Sequence, residues 1–160
     1  MQDLSEFDFI DFGASKGGSL RWASAQFGGK GIGVDNSAAK VELIRQSGGQ
    51  VIHADATKLN IPPGTFRYAT MIDFLEHLPD QATGFAALEQ AIAAVREFVV
   101  VKGPNFDGLD HLRSMGFKKY YADWHGHKWH HQAAEFAELL GRLGVRHKII
   151  ETERIRNTSH

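Results

Sequence analysis

Residues 7–18 read FDFIDFGASKGG, and the reading of this stretch decides the fold. Residues 7–12 have the apolar character of a short buried strand, which runs into a turn of small residues. A helix over about 19–27 follows. Glycine accepts a positive φ and lets another group approach the main chain closely, because it carries no Cβ. The helix directs its free N–H groups and positive dipole end toward whatever occupies the turn. A strand bearing Asp11 and opening into Gly13, Ser15, Gly17 and Gly18 therefore suits a backbone cradle for a nucleoside-containing ligand. A plain strand–helix turn with no ligand would use the same residues.

Composition sets the bounds. The chain has 160 residues, 42% hydrophobic and 23% charged, which predicts one domain over 1–160 with a single sizeable core. A net charge of −1 supplies no field to recruit nucleic acid or an anionic membrane. The absence of cysteine excludes disulfides, thiolate metal sites and a cysteine nucleophile, and fits a reducing cytoplasm. No apolar run approaches the ~20 residues of a spanning helix. The opening MQDLSEFD has neither the basic start nor the apolar stretch of a signal peptide. A cytoplasmic protein without membrane or nucleic-acid partners is expected.

Strand-like and helix-like segments alternate along the chain. Gly31–Asp35 is a second short strand, and Ser37 is placed to cap a helix to about Gln46 that Gly48 and Gly49 stop. Residues 50–53 form a third strand ending at Ala54-Asp55-Ala56, and Pro62-Pro63-Gly64 marks a loop. A fourth strand is predicted over 68–74, a helix over 82–95 and a fifth strand over 97–102. This alternation implies a doubly wound α/β fold, a mostly parallel sheet with helices on both faces. Ligands of such sheets bind at the carboxyl ends of the strands. Asp11, Asp35, Asp55 and Asp73 all fall there. Each alone reads as a solvated loop carboxylate, but their succession along one sheet edge points to a site. Beyond it, 103–131 has no clean periodicity, 132–143 reads as an amphipathic helix, and 145–155 reads as a strand.

With these residues in hand, the chain resembles the class I S-adenosylmethionine-dependent methyltransferases over about residues 7–155. Asp11-Phe12-Gly13-Ala14-Ser15-Lys16-Gly17 is similar to that family's first motif, an acid followed by G-x-G-x-G, with Ser15 in place of the middle glycine. The resemblance implies a Rossmann-like methyltransferase fold with S-adenosylmethionine as cofactor. It implies that Asp11, Gly13, Ala14, Ser15 and Gly17 hold the methionine end, and that Asp35 with Asn36 meets the ribose. Asp55 and Ala56 would meet the adenine, and Asp73 and Phe74 would lie beside the methionine part. Asp35→Ala is expected to weaken cofactor binding while leaving the fold intact. The family ordinarily closes its sheet with two further strands. Here 145–155 can supply one and little sequence follows it, so either the full last strand is missing, the polypeptide has been shortened, or its end pairs differently.

Methyl transfer from a sulfonium is an in-line displacement with a good leaving group, so positioning carries much of the catalysis. A base is needed only where the acceptor loses a proton. His77, after the fourth strand, is the candidate, with Glu76 behind it. A small-molecule acceptor is expected. His125, His127, His130 and His131 crowd one segment, but no carboxylate in the local sequence completes a closed site, and no metal is expected. Two other functions stay open: a catalytically degenerate module of the same fold, and an NAD-dependent oxidoreductase, to which G-x-S-x-G-G is a poor match.

Overall fold

The computed structural model describes residues 3–150, which cluster into two compact units. The first comprises residues 3–104 with His125–Trp129, and the second comprises Asn105–Trp124 with residues 130–150.

The first unit is a five-stranded sheet in the order β3-β2-β1-β4-β5. Its elements are β1 (Phe9–Phe12), α1 (Gly18–Phe27), β2 (Gly31–Asp35), α2 (Ala38–Gln46), β3 (Val51–His53), β4 (Phe66–Ile72), α3 (Gln81–Ala94) and β5 (Val95–Lys102). Every neighbouring pair is parallel. The chain passes from β1 outward to β3 and, on the other side, from β4 to β5, and with the right-handed crossovers that parallel strands adopt this puts α1 and α2 on one face and α3 on the other. The strand order reverses between β1 and β4, and the crevice outside their carboxyl ends is where this architecture receives ligands.

Alternation along β1 divides the core. Phe9 and Asp11 lie opposite Tyr68 and Thr70 of β4 and share a face. On that face Phe9 and Tyr68 pack with Leu20 and Ala23 of α1. The rings of Phe9, Tyr68 and Phe98 stack across three strands, with centroids 4.6 and 5.0 Å apart. Tyr68 also donates its hydroxyl proton toward the carbonyls of Ala23 and Gly28, at 3.2 and 2.9 Å, tying β4 to the carboxyl end of α1. Strands buried on both faces explain why β1 and β2 read as continuous apolar runs.

Two expectations need correction. The fourth strand begins two residues before the predicted Tyr68 and ends at Ile72. Asp73 leaves the extended region at φ 48°, turning so that its N–H donates to Lys102 O at 2.7 Å. Residues 145–150 form no strand and, apart from partly buried Val145, lie exposed; the remainder of the predicted 145–155 strand lies outside the described residues. The Val145 N–H is already used, donating to Leu140 O at 2.9 Å to finish the preceding helix. Arg146, His147 and Lys148 then interrupt any apolar face.

In the second unit, the stretch without periodicity holds a short helix, α4 (Leu109–Ser114). Phe106, Leu109 and Ala122 form its small core. α5 (Ala133–Arg142) is opened by a capping box between Gln132 and Glu135. Asp107 Oδ1 accepts from Ala133 N at 3.1 Å. The rings of His130 and His131 pack on Phe106, with centroids 4.7 and 5.2 Å away.

Candidate functional site

The turn after β1 has three left-handed residues, Gly13, Ser15 and Gly17, at φ 73°, 51° and 77°. Its main chain is fastened to β2. Gly13 N and Ala14 N both donate to Val34 O at 2.9 Å. Ser15 N donates to Asp35 Oδ2, and Ser37 N to Asp35 Oδ1, each at 2.9 Å. Asp35 is therefore a clasp between the cradle and the start of α2. It caps the Ser37 amide with its own carboxylate, while Ser37 occupies the N-cap position without a side-chain bond. Ser15 meets a backbone demand ordinarily answered by glycine, at a cost of about 1 kcal/mol for an L-residue there.

The ring of Phe74, just past β4, lies against Gly13, where a Cβ would come within 2.4 Å of it. Glycine is thus required at 13 by contact as well as by φ. Ala14 is wholly buried and packs with Val41, Ile44 and Val51, so only its main chain can serve a ligand. A Cβ at Gly18 would meet nothing within 4 Å, which leaves the first turn of α1 open.

Asp11 is fully buried under this turn. It accepts from Ser19 Oγ at 2.5 Å and Thr70 Oγ1 at 2.7 Å. Burial pushes its pKa up to about 6, against the opposing pull of those two hydroxyls and with a further push from the charge of Asp35. The sequence gives no hint of Thr70, which only strand pairing brings opposite. Ser19 was legible as a hydroxyl in the first turn of the helix after an acid-bearing strand.

Asp55 caps the 3-10 turn Ala56–Lys58 and accepts at Oδ1 from Thr57 N and Thr57 Oγ1, at 3.0 and 2.7 Å. These bonds hold its pKa below the usual carboxylate value. Ala54 N donates to Asp35 O at 3.1 Å, and His53 Nε2 lies 3.1 Å from the carbonyl of exposed Asn36, so the ends of β2 and β3 meet. Asp73 is exposed, with its Oδ2 at 3.7 Å from Lys102 Nζ.

A second constellation follows β4. The 3-10 turn Leu75–His77 buries Glu76 to 1% exposure, and Glu76 Oε2 has no hydrogen-bond partner. Burial raises the Glu76 pKa to about 7. His77 Nδ1 lies 2.9 Å from Gly126 O. A carbonyl only accepts, so Nδ1 carries the proton and the lone pair of neutral His77 is on Nε2. His127 Nε2 stands 4.0 Å from Glu76 Oε1. The sequence offered the four crowded histidines no carboxylate. The fold supplies one to His127, while His130 and His131 pack on Phe106.

A family profile described as Methyltransferase domain matches residues 9–97, more than half of the chain. The chain belongs to the methyltransferase-domain family. Several solved structures share its fold. A SAM-dependent methyltransferase from Archaeoglobus fulgidus is 23% identical with a TM-score of 0.70, the alignment covering 86% of this chain and 60% of that one. A SAM-dependent methyltransferase from Methanosarcina mazei is 16% identical with a TM-score of 0.66, covering 89% and 80%. The plantazolicin methyltransferase BpumL, solved with SAH, is 17% identical with a TM-score of 0.64, covering 84% and 54%. The methyltransferase domain described here thus spans 60% of the Archaeoglobus protein's length. No curated protein matches the chain. No helix among the described residues is long and apolar enough to cross a membrane.

Proposed function

We propose that the turn between β1 and α1 binds S-adenosylmethionine and that the chain transfers its methyl group to a small-molecule acceptor. The observation that carries this reading is the left-handed Gly13–Ser15–Gly17 turn, clasped by Asp35 at the point where strand order reverses, in a chain of the methyltransferase-domain family. The BpumL structure, which holds SAH in the same fold, supports the choice of cofactor.

The residues present fit that group. The open first turn of α1 and the main chain of Gly13, Ala14, Ser15 and Gly17 would line the methionine end, with Asp11 beneath them toward the amino group. Each oxygen of Asp35 accepts one backbone N–H, so lone pairs remain for the ribose hydroxyls, with exposed Asn36 beside it. Asp55, kept ionised by Thr57, would accept from the adenine amine next to Ala56. Asp73 and Phe74 would border the reacting end. S-adenosylmethionine supplies an electrophilic methyl on a sulfonium. The chain holds the acceptor in line with it. Where the acceptor must lose a proton, His77 can take it on Nε2.

Calorimetric titration with S-adenosylmethionine, S-adenosylhomocysteine and NAD tests the reading. Micromolar binding of the first two is expected, with turnover to S-adenosylhomocysteine once an acceptor is supplied. Asp35→Ala should weaken binding tenfold or more. It should also cost about 1–2 kcal/mol of stability, because Ser15 N and Ser37 N both lose their acceptor. Failure of the folded chain to bind either sulfur compound, or tighter binding of NAD, would overturn the proposal.

A further inference from the structure

We infer that Glu76, His77 and His127 form a binding site for one first-row divalent cation of the zinc class. Each residue offers a ligand atom, and these atoms lie within 4.8 Å of one another. The inference does not depend on methyl transfer.

The chemistry of the three groups is selective. Two imidazoles and one carboxylate suit zinc and its first-row neighbours, whereas magnesium and calcium require more oxygen ligands. Glu76 gives the independent sign that something is to be bound. It is 1% exposed, and its Oε2 makes no hydrogen bond in the described structure. An orphaned buried carboxylate oxygen is costly, and a cation relieves that cost directly.

The placement is prepared by the fold. Glu76 and His77 sit on the short 3-10 turn that follows β4. His127 is fixed from both sides. Glu76 O accepts from Lys128 N at 2.8 Å and Trp129 N at 3.2 Å, and the His77 ring holds Gly126 O at 2.9 Å. Trp129 is wedged on α3 against Gly84, where a Cβ would come within 2.1 Å of its ring, and meets Phe85 edge-on at 5.5 Å. An Nδ1–H donated to a backbone carbonyl is how a metal-binding histidine is commonly oriented. Around zinc, ligand bonds of about 2.0–2.2 Å in a tetrahedron place donor atoms about 3.4 Å apart. The 4.0 Å between Glu76 Oε1 and His127 Nε2 must therefore shorten by about 0.6 Å, within reach of side-chain torsions.

Three protein ligands leave a fourth position for water, or for the acceptor's oxygen or nitrogen if methyl is transferred as proposed. In the loaded protein the His77 lone pair is given to the metal, so His77 no longer serves as a base.

The test uses the full chain, stripped with chelator and titrated with zinc chloride by calorimetry and with cobalt chloride by visible absorption. One ion per chain at micromolar or lower Kd is expected, with cobalt bands of an ordered nitrogen and oxygen environment and no response to magnesium. Glu76→Gln, nearly the same shape, and His127→Ala should each weaken zinc binding at least tenfold. His147→Ala, outside the site, should bind as wild type. Substoichiometric binding, or binding that survives both Glu76→Gln and His127→Ala in folded protein, would overturn the inference. Because the readout is metal content and not activity, loss of the cofactor reading and loss of this one are separately visible.

Discussion

Replacing Asp11 by Asn should stabilise the protein at neutral pH. In the folded chain Asp11 is completely buried and its pKa is pushed from 3.8 to about 6, with burial as the largest cause. A carboxyl whose folded pKa lies above its unfolded value binds its proton more tightly when folded. Below about pH 3.8 both states are protonated and Asp11 costs nothing. Between about pH 3.8 and 6 the unfolded chain releases this proton while the folded chain keeps it, so stability falls, and above about 6 both are ionised and the full loss is in place. At about 1.4 kcal/mol per pH unit, the full displacement corresponds to about 3 kcal/mol at pH 7.5. Asn keeps the shape, accepting from one of the Ser19 and Thr70 hydroxyls and donating to the other. The variant should therefore gain about 1–3 kcal/mol at pH 7.5 and nothing near pH 4. Urea unfolding of both proteins between pH 4 and pH 8 measures this directly. Parallel curves, with no growing advantage for Asn as pH rises, would refute the reasoning. If Asp11 serves the cofactor's amino group as proposed, the same variant should also bind S-adenosylmethionine more weakly.

The other expected outcomes concern backbone and packing. Ser15→Gly relieves a left-handed residue at φ 51°, so stability in urea should hold or rise by up to about 1 kcal/mol after the greater freedom of glycine in the unfolded chain is counted. Gly13→Ala should cost about 2–4 kcal/mol, since it adds a Cβ at φ 73° and 2.4 Å from the Phe74 ring. Combining it with Phe74→Ala should remove the steric share and leave the backbone share, which a double-mutant cycle separates. Gly84→Ala should cost about 1–3 kcal/mol in spite of better helix propensity, because its Cβ overlaps Trp129. By displacing the segment that holds His127 it should also weaken zinc binding, read by the same titration as Glu76→Gln.

Much of this protein is written locally. The apolar runs at β1, β2 and β5, the helices between them and the glycine-rich turn are properties of neighbouring residues. Their period and punctuation therefore implied a parallel sheet with acids at its carboxyl edge. The cradle was legible for the same reason, since Gly13, Ser15, Gly17 and the strand before them are contiguous. What the strip of sequence lacks is which distant groups become neighbours. Strand order places Thr70 beside Asp11, which turns an acid at a strand end into a buried, hydroxyl-bonded group with a raised pKa. The Ser15 amide reaches across to Asp35, so that carboxylate is a structural clasp as well as a proposed ribose ligand. The strand predicted at 145–155 fails over 145–150 because the Val145 amide is spent on α5, a hydrogen bond that hydropathy does not reveal. Most of all, Glu76 and His127 are 51 positions apart in sequence and gain chemical meaning only when folding brings them within 4.0 Å. Periodicity and glycine spacing express short-range sterics, whereas burial, pairing and coordination are set by contacts between remote segments.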